Sequence, residues 1–424
     1  MKTDPHLNSR PNSWKFIFRS LQYRNYRLYF GGQGISMIGT WMQHTAMGWL
    51  VYDLTNSALI LGIVGFATQI PNLIIAPFAG VLIDRWNRYR TIIITQTLEM
   101  LLAFVLAILV FTGEISIWHI ILLGVFLGIV SCFDITVRQA FVFNIIEKKE
   151  DLGNAVALST SMMNLSRMLG PPIAGILISA VGLGVCFFLN GISYLAVLIA
   201  LFAIRVEQEQ IKTKHSRILK ELKEGFIYVF NSTPVRSIIL LQGVICLAGW
   251  PATVLMPVFA KEILQGGPET LGFLTGFSGT GAMAGVFYLA LRKDARSMVR
   301  WIPLAAGILG IALVVFSQSS IPLFSMFLLL FTGFGVFVQM TAGMSVLTTI
   351  IDDDKRGRVM IIYNISFMGM VPIGNLMAGN LADKIGAPNT LMIGGFLCIF
   401  GSLLFAGKYR LISETINIHL NKIN

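Results

Sequence analysis

The sequence predicts an all-α membrane protein whose twelve transmembrane helices form two pseudo-symmetric six-helix bundles. Three observations carry that expectation: recurring apolar runs, a one-sided distribution of Lys and Arg, and an internal repeat. Hydrophobic residues make up 55% of the 424 and charged residues only 12%, with a mean hydropathy of +0.74. A soluble domain carries about twice that charge. The apolar residues fall in runs of about 20, the length a helix needs to cross a bilayer. Inside lipid, every backbone polar group must be paired within its own segment or within a closed barrel. Barrel strands alternate in polarity and these runs do not, so the spans are helical.

The first six spans read as 27–51, 58–83, 91–112, 116–138, 154–180 and 184–204. The second six read as 236–260, 270–291, 301–317, 321–347, 359–382 and 389–407. They imply an N-terminal segment 1–26, a first bundle 27–204, a linker 205–235, a second bundle 236–407 and a tail 408–424. Residues 1–26 are polar and basic with no apolar core, so no cleavable leader is expected.

The net charge of +11 raises nucleic-acid binding as a reading, and the placement of the charge argues against it. With an even number of spans, both termini share one side, and 29 of the 32 Lys and Arg residues fall there. Lys261 and Lys384 lie on the other side, and Arg167 lies within a span. This is the positive-inside bias, so both termini are expected in the cytoplasm of a bacterial cell, with the protein multi-pass in its plasma membrane. Cys132, Cys186, Cys246 and Cys398 are scattered through the spans without metal-ligand spacing and read as packing residues. No metal, disulfide or cofactor is expected.

The linker starts polar from Glu207 to Lys214. It then places Ile218, Leu219, Leu222, Phe226, Val229 and Phe230 on one helical face and Lys220, Glu221, Lys223 and Glu224 on the other. That pattern suits a helix lying on the membrane surface, or a simple tether between the halves. The halves repeat. Gly170, Gly175 and Gly182 match Gly374, Gly379 and Gly386 at an offset of 204, as Gly153 matches Gly357. Repeats built on small-residue helix contacts typify many secondary transporters.

Between spans two and three runs Gly80-Val81-Leu82-Ile83-Asp84-Arg85-Trp86-Asn87-Arg88-Tyr89-Arg90. Gly80 allows close helix approach, and Asp84 at a helix end can accept from basic groups or from another helix start. The loop resembles the signature of the major facilitator superfamily. The resemblance covers nearly the whole chain and is closest to the branch holding the enterobactin exporter and the macrolide efflux proteins. It is carried further by Gly39-Thr40-Trp41-Met42-Gln43, by Gly48 to Thr55, by Asp134 with Arg138-Gln139-Ala140, by Arg167 to Pro171 and by Arg356 to Met360. The resemblance implies a cytoplasmic charge relay of Asp84, Arg85, Arg88, Asp134 and Arg138, with Arg358 on the opposing helix end. The alternative is that these charges only cap helices and set topology. The second half keeps Asp294 with Arg296 and Arg300 but has Ala290 where the glycine would stand. Gly170-Pro171-Pro172-Ile173-Ala174-Gly175 partly resembles the fifth-span motif of proton-coupled antiporters, with Ala174 in place of a glycine. A proline there also serves as a packing kink.

Ionisable residues inside a bilayer are functional candidates. Arg167 lies roughly 20 Å from the basic end of span five, and Glu99 roughly 12 Å into span three, at helical rise. Arg167 either binds an anionic group of a substrate or pairs with Glu99. Glu99 is the candidate for a coupling proton, because a carboxyl out of water favours its neutral form. Asp134 and Arg138 stand one turn apart and can pair with each other. Polar stripes mark candidate cavity walls. They are Gln33, Ser36, Thr40 and Gln43 or His44 on span one, Gln242, Cys246, Trp250 and Thr253 on span seven, and Phe337, Thr341, Met344 and Thr348 on span ten. Such stripes also serve as glue between helices, and His44 also reads as a packing histidine.

The leading expectation is a secondary exporter of a small amphipathic organic molecule, drug- or siderophore-like, working by proton antiport. It would be a monomer in the lipid bilayer, not an enzyme, with no nucleic-acid partner. No Walker loop is present, so ATP is not the evident energy source. The competing expectations are uptake of a nutrient or metal chelate by the same fold, and a lipid flippase or non-transporting receptor.

Overall fold

The computed structural model describes residues 18–83, 85–205, 218–292, 295–409 and 411–414. Among these, the chain is helical with no strand. In the first half, α1 is Arg24–Thr55, α2 Ala58–Ile83, α3 Arg88–Phe111, α4 Ile117–Ile145, α5 Leu152–Val181 and α6 Leu183–Ala203. In the second, α7 is a composite of Thr233–Val244, a π turn Ile245–Gly249, Ala252–Val258 and a second π turn Phe259–Ile263. It is followed by α8 Pro268–Ala290, α9 Ala295–Ser317, α10 Pro322–Ile350, α11 Asp353–Ile385 and α12 Ala387–Ala406.

Ten of these helices are long and apolar enough to cross a membrane. The two that fall short of the expected twelve are α1 and α5, which are 32 and 30 residues long. Length does not exclude them; polarity does. Gln33, Thr40, Gln43 and His44 dilute α1, and Asn164, Ser166 and Arg167 dilute α5. The rest of the surface is turned inside out relative to a soluble protein: Trp118, Leu323, Phe202 and Ile199 are each about 70–80% exposed, as lipid-facing residues are.

The packing obeys the repeat. In the first half α1 packs on α5 and α6, α2 on α4, and α3 on α4 and α6. Six helices on, α7 packs on α11 and α12, α8 on α10, and α9 on α10 and α12. The halves meet along two symmetry-related pairs, α5 with α8 and α2 with α11. The repeated glycines make contacts both within and between the halves. A Cβ on Gly170 would stand 2.6 Å from Trp41 Cβ of α1, and one on Gly374 would stand 2.8 Å from Pro251 Cγ of α7. A Cβ on Gly175 would stand 2.6 Å from the Pro268 carbonyl of α8, and one on Gly379 2.6 Å from the Ala58 carbonyl of α2. Gly182 and Gly386 end α5 and α11 at φ +90° and +86°, a region that side chains disfavour.

Consecutive helices alternate in direction, so helix ends sort onto two faces. One face holds the ends at Arg24, Ile83, Arg88, Ile145, Ala290 and Asp353 and is rich in Lys and Arg; it is called the basic face below. The linker forms a helix at Ile218–Asn231, docked on α11 through a Glu224–Arg358 ion pair of 2.9 Å and the approach of Gly225 to Arg358. Val229 is buried while Phe226, Ile227 and Phe230 stay exposed. The polar first part of the linker, 206–217, lies outside the described residues.

Candidate functional site

Arg167 sits midway along α5, and Gly170, one turn on, lets α1 close in beside it. On the other side Gly279 of α8 approaches the Arg167 carbonyl, where a Cβ would stand 2.8 Å away. The guanidinium carbon then lies 5.3 Å from the Trp41 ring of α1, 5.3 Å from the Trp250 ring of α7 and 4.6 Å from the Phe337 ring of α10. Trp250 follows the π turn Ile245–Gly249, and such turns re-aim the residues after them. It packs edge-on against Phe367 of α11 at 5.1 Å and beside Phe337 at 6.4 Å. All of these residues are near the middle of their helices, and both halves contribute. A charge at this depth costs at least a few kcal/mol. Each desolvated cation–π contact returns up to about 2 kcal/mol. The rings therefore offset the charge but accept nothing from the five guanidinium N–H donors.

Glu99 is not the partner of Arg167. It faces α4, accepting from Ser131 Oγ at 2.9 Å and from Gln96 Nε2 at 3.3 Å. The same Gln96 amide donates to Asp134 at 2.8 Å, and Thr95 donates to that carboxylate at 2.9 Å. Arg138 closes on Asp134 at 2.6 Å. Glu99 and Asp134 are both buried, and Arg138 pairs with Asp134 while Glu99 is held by neutral donors. Depth along a helix misled the pairing expectation, because α3 turns Glu99 toward α4 and away from α5.

The polar stripes divide. Gln33 and Gln43 are buried, and Gln43 accepts from Asn190 of α6 at 2.7 Å. Thr40 donates to the Ser36 carbonyl and lies 3.4 Å from the Tyr194 hydroxyl of α6. Gln242 is fully buried, donating to Cys246 and accepting from Tyr363 of α11. Thr40, Gln43 and Gln242 are glue within a half, which corrects the cavity expectation for them, while the buried Gln33 Oε1 accepts no hydrogen bond among the described residues. Trp250 and Phe337 belong to the Arg167 site. His44 is exposed, with its ring 5.8 Å from Trp41, and Thr341 is exposed one turn from Phe337. Trp41 and Phe367 were missed as site residues; the glycine beside Arg167 was the available signal for Trp41.

Asp84 and Asp294 lie outside the described residues. Arg88, Asp134 and Arg138 of the expected relay each have a partner within the first half. Arg88 bonds Asn144 at 2.8 Å within the first half, Arg138 holds Asp134, Arg85 is exposed, and Arg358 holds Glu224 of the linker helix. Gly80 makes no close approach, since a Cβ there would meet nothing within 4 Å. Arg300 donates to Tyr409 of the tail at 3.1 Å. The side chains that do cross between the halves sit at the face opposite the basic one. Lys261 reaches Asp53 at 2.8 Å and Asn56 at 3.2 Å. Tyr52 donates to Glu262 and Ser179 to Glu269. Ser57 donates to Asp383 at 3.2 Å. The Leu59 N–H donates to the same Asp383 carboxylate at 3.5 Å. None of it was foreseen from sequence.

Two pseudo-symmetric helical halves, with a charged aromatic site at mid-depth and polar ties at the face opposite the basic one, define a membrane transporter of the major facilitator class. The chain belongs to the transmembrane secretion effector family, whose profile matches residues 18–416. It is 26% identical over 384 residues to the staphyloferrin A transporter of Staphylococcus aureus (strain NCTC 8325 / PS 47), covering 89% of this chain and 95% of that one. It is 21% identical over 392 residues to macrolide efflux protein A of Streptococcus pyogenes, covering 92% and 95%. Its fold is shared with the crystal structure of a bacterial homologue of the iron transporter ferroportin in the inward-facing state, at a TM-score of 0.69 and 16% identity, covering 92% and 98%. A bacterial homologue of the lysosomal transporter Spinster, inward-facing and unoccupied, gives a TM-score of 0.65 at 16% identity, covering 97% and 99%. The chain is therefore a transporter of small molecules in a lipid bilayer, not an enzyme.

Proposed function

We propose that this chain is a secondary exporter of small amphipathic organic molecules, driven by proton antiport through alternating access. The reading places twelve helices across the bacterial plasma membrane, both termini in the cytoplasm, and one monomer as the working unit. The halves 27–204 and 236–407 rock about the mid-membrane site.

The observation that carries it is the set of polar contacts that join the halves at one face. They tie the face opposite the basic one, and in this reading the Arg167 site is reached from the basic face. Lys and Arg mark the cytoplasmic side, so this conformation loads from the cytoplasm. In the outward conformation those ties open and the cytoplasmic relay of Asp84, Arg88, Asp134 and Arg358 closes. Glu99 is the coupling residue of this reading. Arg138 is taken by Asp134, so Glu99 has no cation of its own and in this reading takes and releases the proton. The names of the relatives support efflux of siderophore- and macrolide-like compounds.

The test is an accumulation screen on a deletion strain, followed by transport of the hits into everted vesicles. Deletion is expected to raise intracellular levels of the exported compounds. Collapsing the pH gradient is expected to stop transport. Lower levels in the deletion strain would mean uptake, and transport indifferent to the gradient would end the antiport reading.

A further inference from the structure

We infer that the Arg167 site selects organic anions that carry a flat apolar body. The inference rests on reading this site as the transport cavity, and it adds the class of compound.

The guanidinium is the reason for the anion. It lies among the three rings of Trp41, Trp250 and Phe337, and no carboxylate or carbonyl accepts from it among the described residues. The two membrane-buried carboxylates of the same half are taken, Glu99 by Ser131 and Gln96 and Asp134 by Arg138. An Arg holding five donors in a planar fork matches a carboxylate, sulfonate or phosphate bidentately. A cationic ligand would find the π faces already facing a like charge and no free acid to pair with.

The rings are the reason for the flat body. They come from α1, α7 and α10, so they surround the guanidinium from both halves. Aromatic groups prefer offset or edge contacts with other rings. Trp250 and Phe367 already adopt an edge contact at 89° between ring planes. A flat substrate group can take over the ring contacts that the guanidinium gives up as it turns to the anion. His44 and Thr341, both exposed beside the site, are polar groups for the rest of the molecule.

The approach route has the matching sign. With the opposite face tied, entry is from the basic face, where Arg85, Arg90, Lys148 and Lys149 of the first half are exposed with Arg356 of the second. Such a rim concentrates anions and repels cations.

The test uses the full chain in a neutral maltoside detergent, with three probes of one shape: 2-naphthoate, its methyl ester and the 2-naphthylmethyl-trimethylammonium cation. Binding is measured by titration calorimetry. Naphthoate is expected to bind about tenfold or more tighter than the ester, since a charge-assisted bidentate pair is worth at least that factor. Arg167→Gln should bring naphthoate down to the level of the ester. Arg167→Lys should fall between, because a point charge replaces a fork. Phe337→Leu should weaken acid and ester alike. Equal binding of acid and ester, or no naphthoate binding at millimolar concentration, would overturn the inference. So would discrimination that survives Arg167→Gln, or tightest binding of the ammonium probe, which would make the site a cation cage. If Arg167→Gln does not fold, unchanged discrimination in Arg167→Lys is enough to overturn it. Added phosphatidylglycerol should not displace naphthoate; full displacement would assign the site to a lipid headgroup instead. Transport confined to neutral compounds would end this inference and leave the exporter reading standing. Anion discrimination without transport of any compound would do the reverse.

Discussion

At the scale of single residues, the lone guanidinium on α5 and the Arg138–Asp134 pair of α4 beside Glu99 behave as separate systems, and mutants can separate them. Arg167→Ala leaves no carboxylate unpaired, because Glu99 bonds to Ser131 and Gln96 instead. It loses three ring contacts and gains relief from a buried charge, so melting temperature in detergent should change little. Its effect should add to that of Glu99→Ala, since the two share no partner. A double mutant clearly more stable than the sum would reinstate a Glu99–Arg167 pair. Glu99→Gln keeps the shape of the cluster and removes the titrating group. Substrate exchange across vesicles should survive in it, and transport driven by a pH gradient should fall to background. Retained gradient-driven transport would move the coupling site elsewhere. Asp134→Asn differs, because it removes the counter-charge of Arg138, whose side chain is 20% exposed; the loss of stability should stay below the roughly 3–5 kcal/mol of breaking a fully buried pair. Arg167, Trp250 and Phe337 were legible in the sequence as deep charge or polar-stripe members. Trp41 was not, because its place depends on how closely Gly170 lets α1 approach. The pairing of Glu99 was not, because depth says nothing about the direction a helix faces.

At the scale of elements, the tie between α1 and α7 is built by a backbone irregularity. The second π turn, Phe259–Ile263, carries Lys261 and Glu262 to Asp53, Asn56 and Tyr52. A π turn leaves no mark in an apolar run, so neither the kink nor the tie could be read from residue spacing. The repeat was readable because small residues at fixed offset are a direct record of helix contact. The Lys261–Asp53 pair is itself partly exposed, at 33% and 50% of the two side chains. Such a pair is worth about 0.2–1 kcal/mol, so the face is held by the group of ties and not by this one. Lys261→Glu adds a carboxylate beside Asp53 and Glu262 and replaces attraction with repulsion. A reporter cysteine at Thr341, with the four native cysteines replaced, should label only from the basic face in the parent. In Lys261→Glu, labelling from the opposite face should rise several-fold. Unchanged labelling would mean the ties do not gate the site.

At the scale of the whole molecule, the fold class, the two halves and their relation were carried by composition and the repeat. The conformation was not, since one sequence must serve both. Orientation has its own check. Cysteines placed at Lys223 in the linker helix and at Glu114 between α3 and α4 are both exposed. An impermeant thiol reagent added to intact cells should label Glu114→Cys and spare Lys223→Cys; the reverse pattern would invert the topology and with it the direction of export. Alternating access is the central claim, and distance distributions between paired spin labels test it most directly. One pair, Glu147 with Arg292, spans the halves at the basic face, and the other, Glu114 with Gln318, spans them at the opposite face. In the Lys261→Glu background the first distance should shorten as the second lengthens, a shift of population between two states. Distances that stay fixed, or that move in the same sense, would contradict the account.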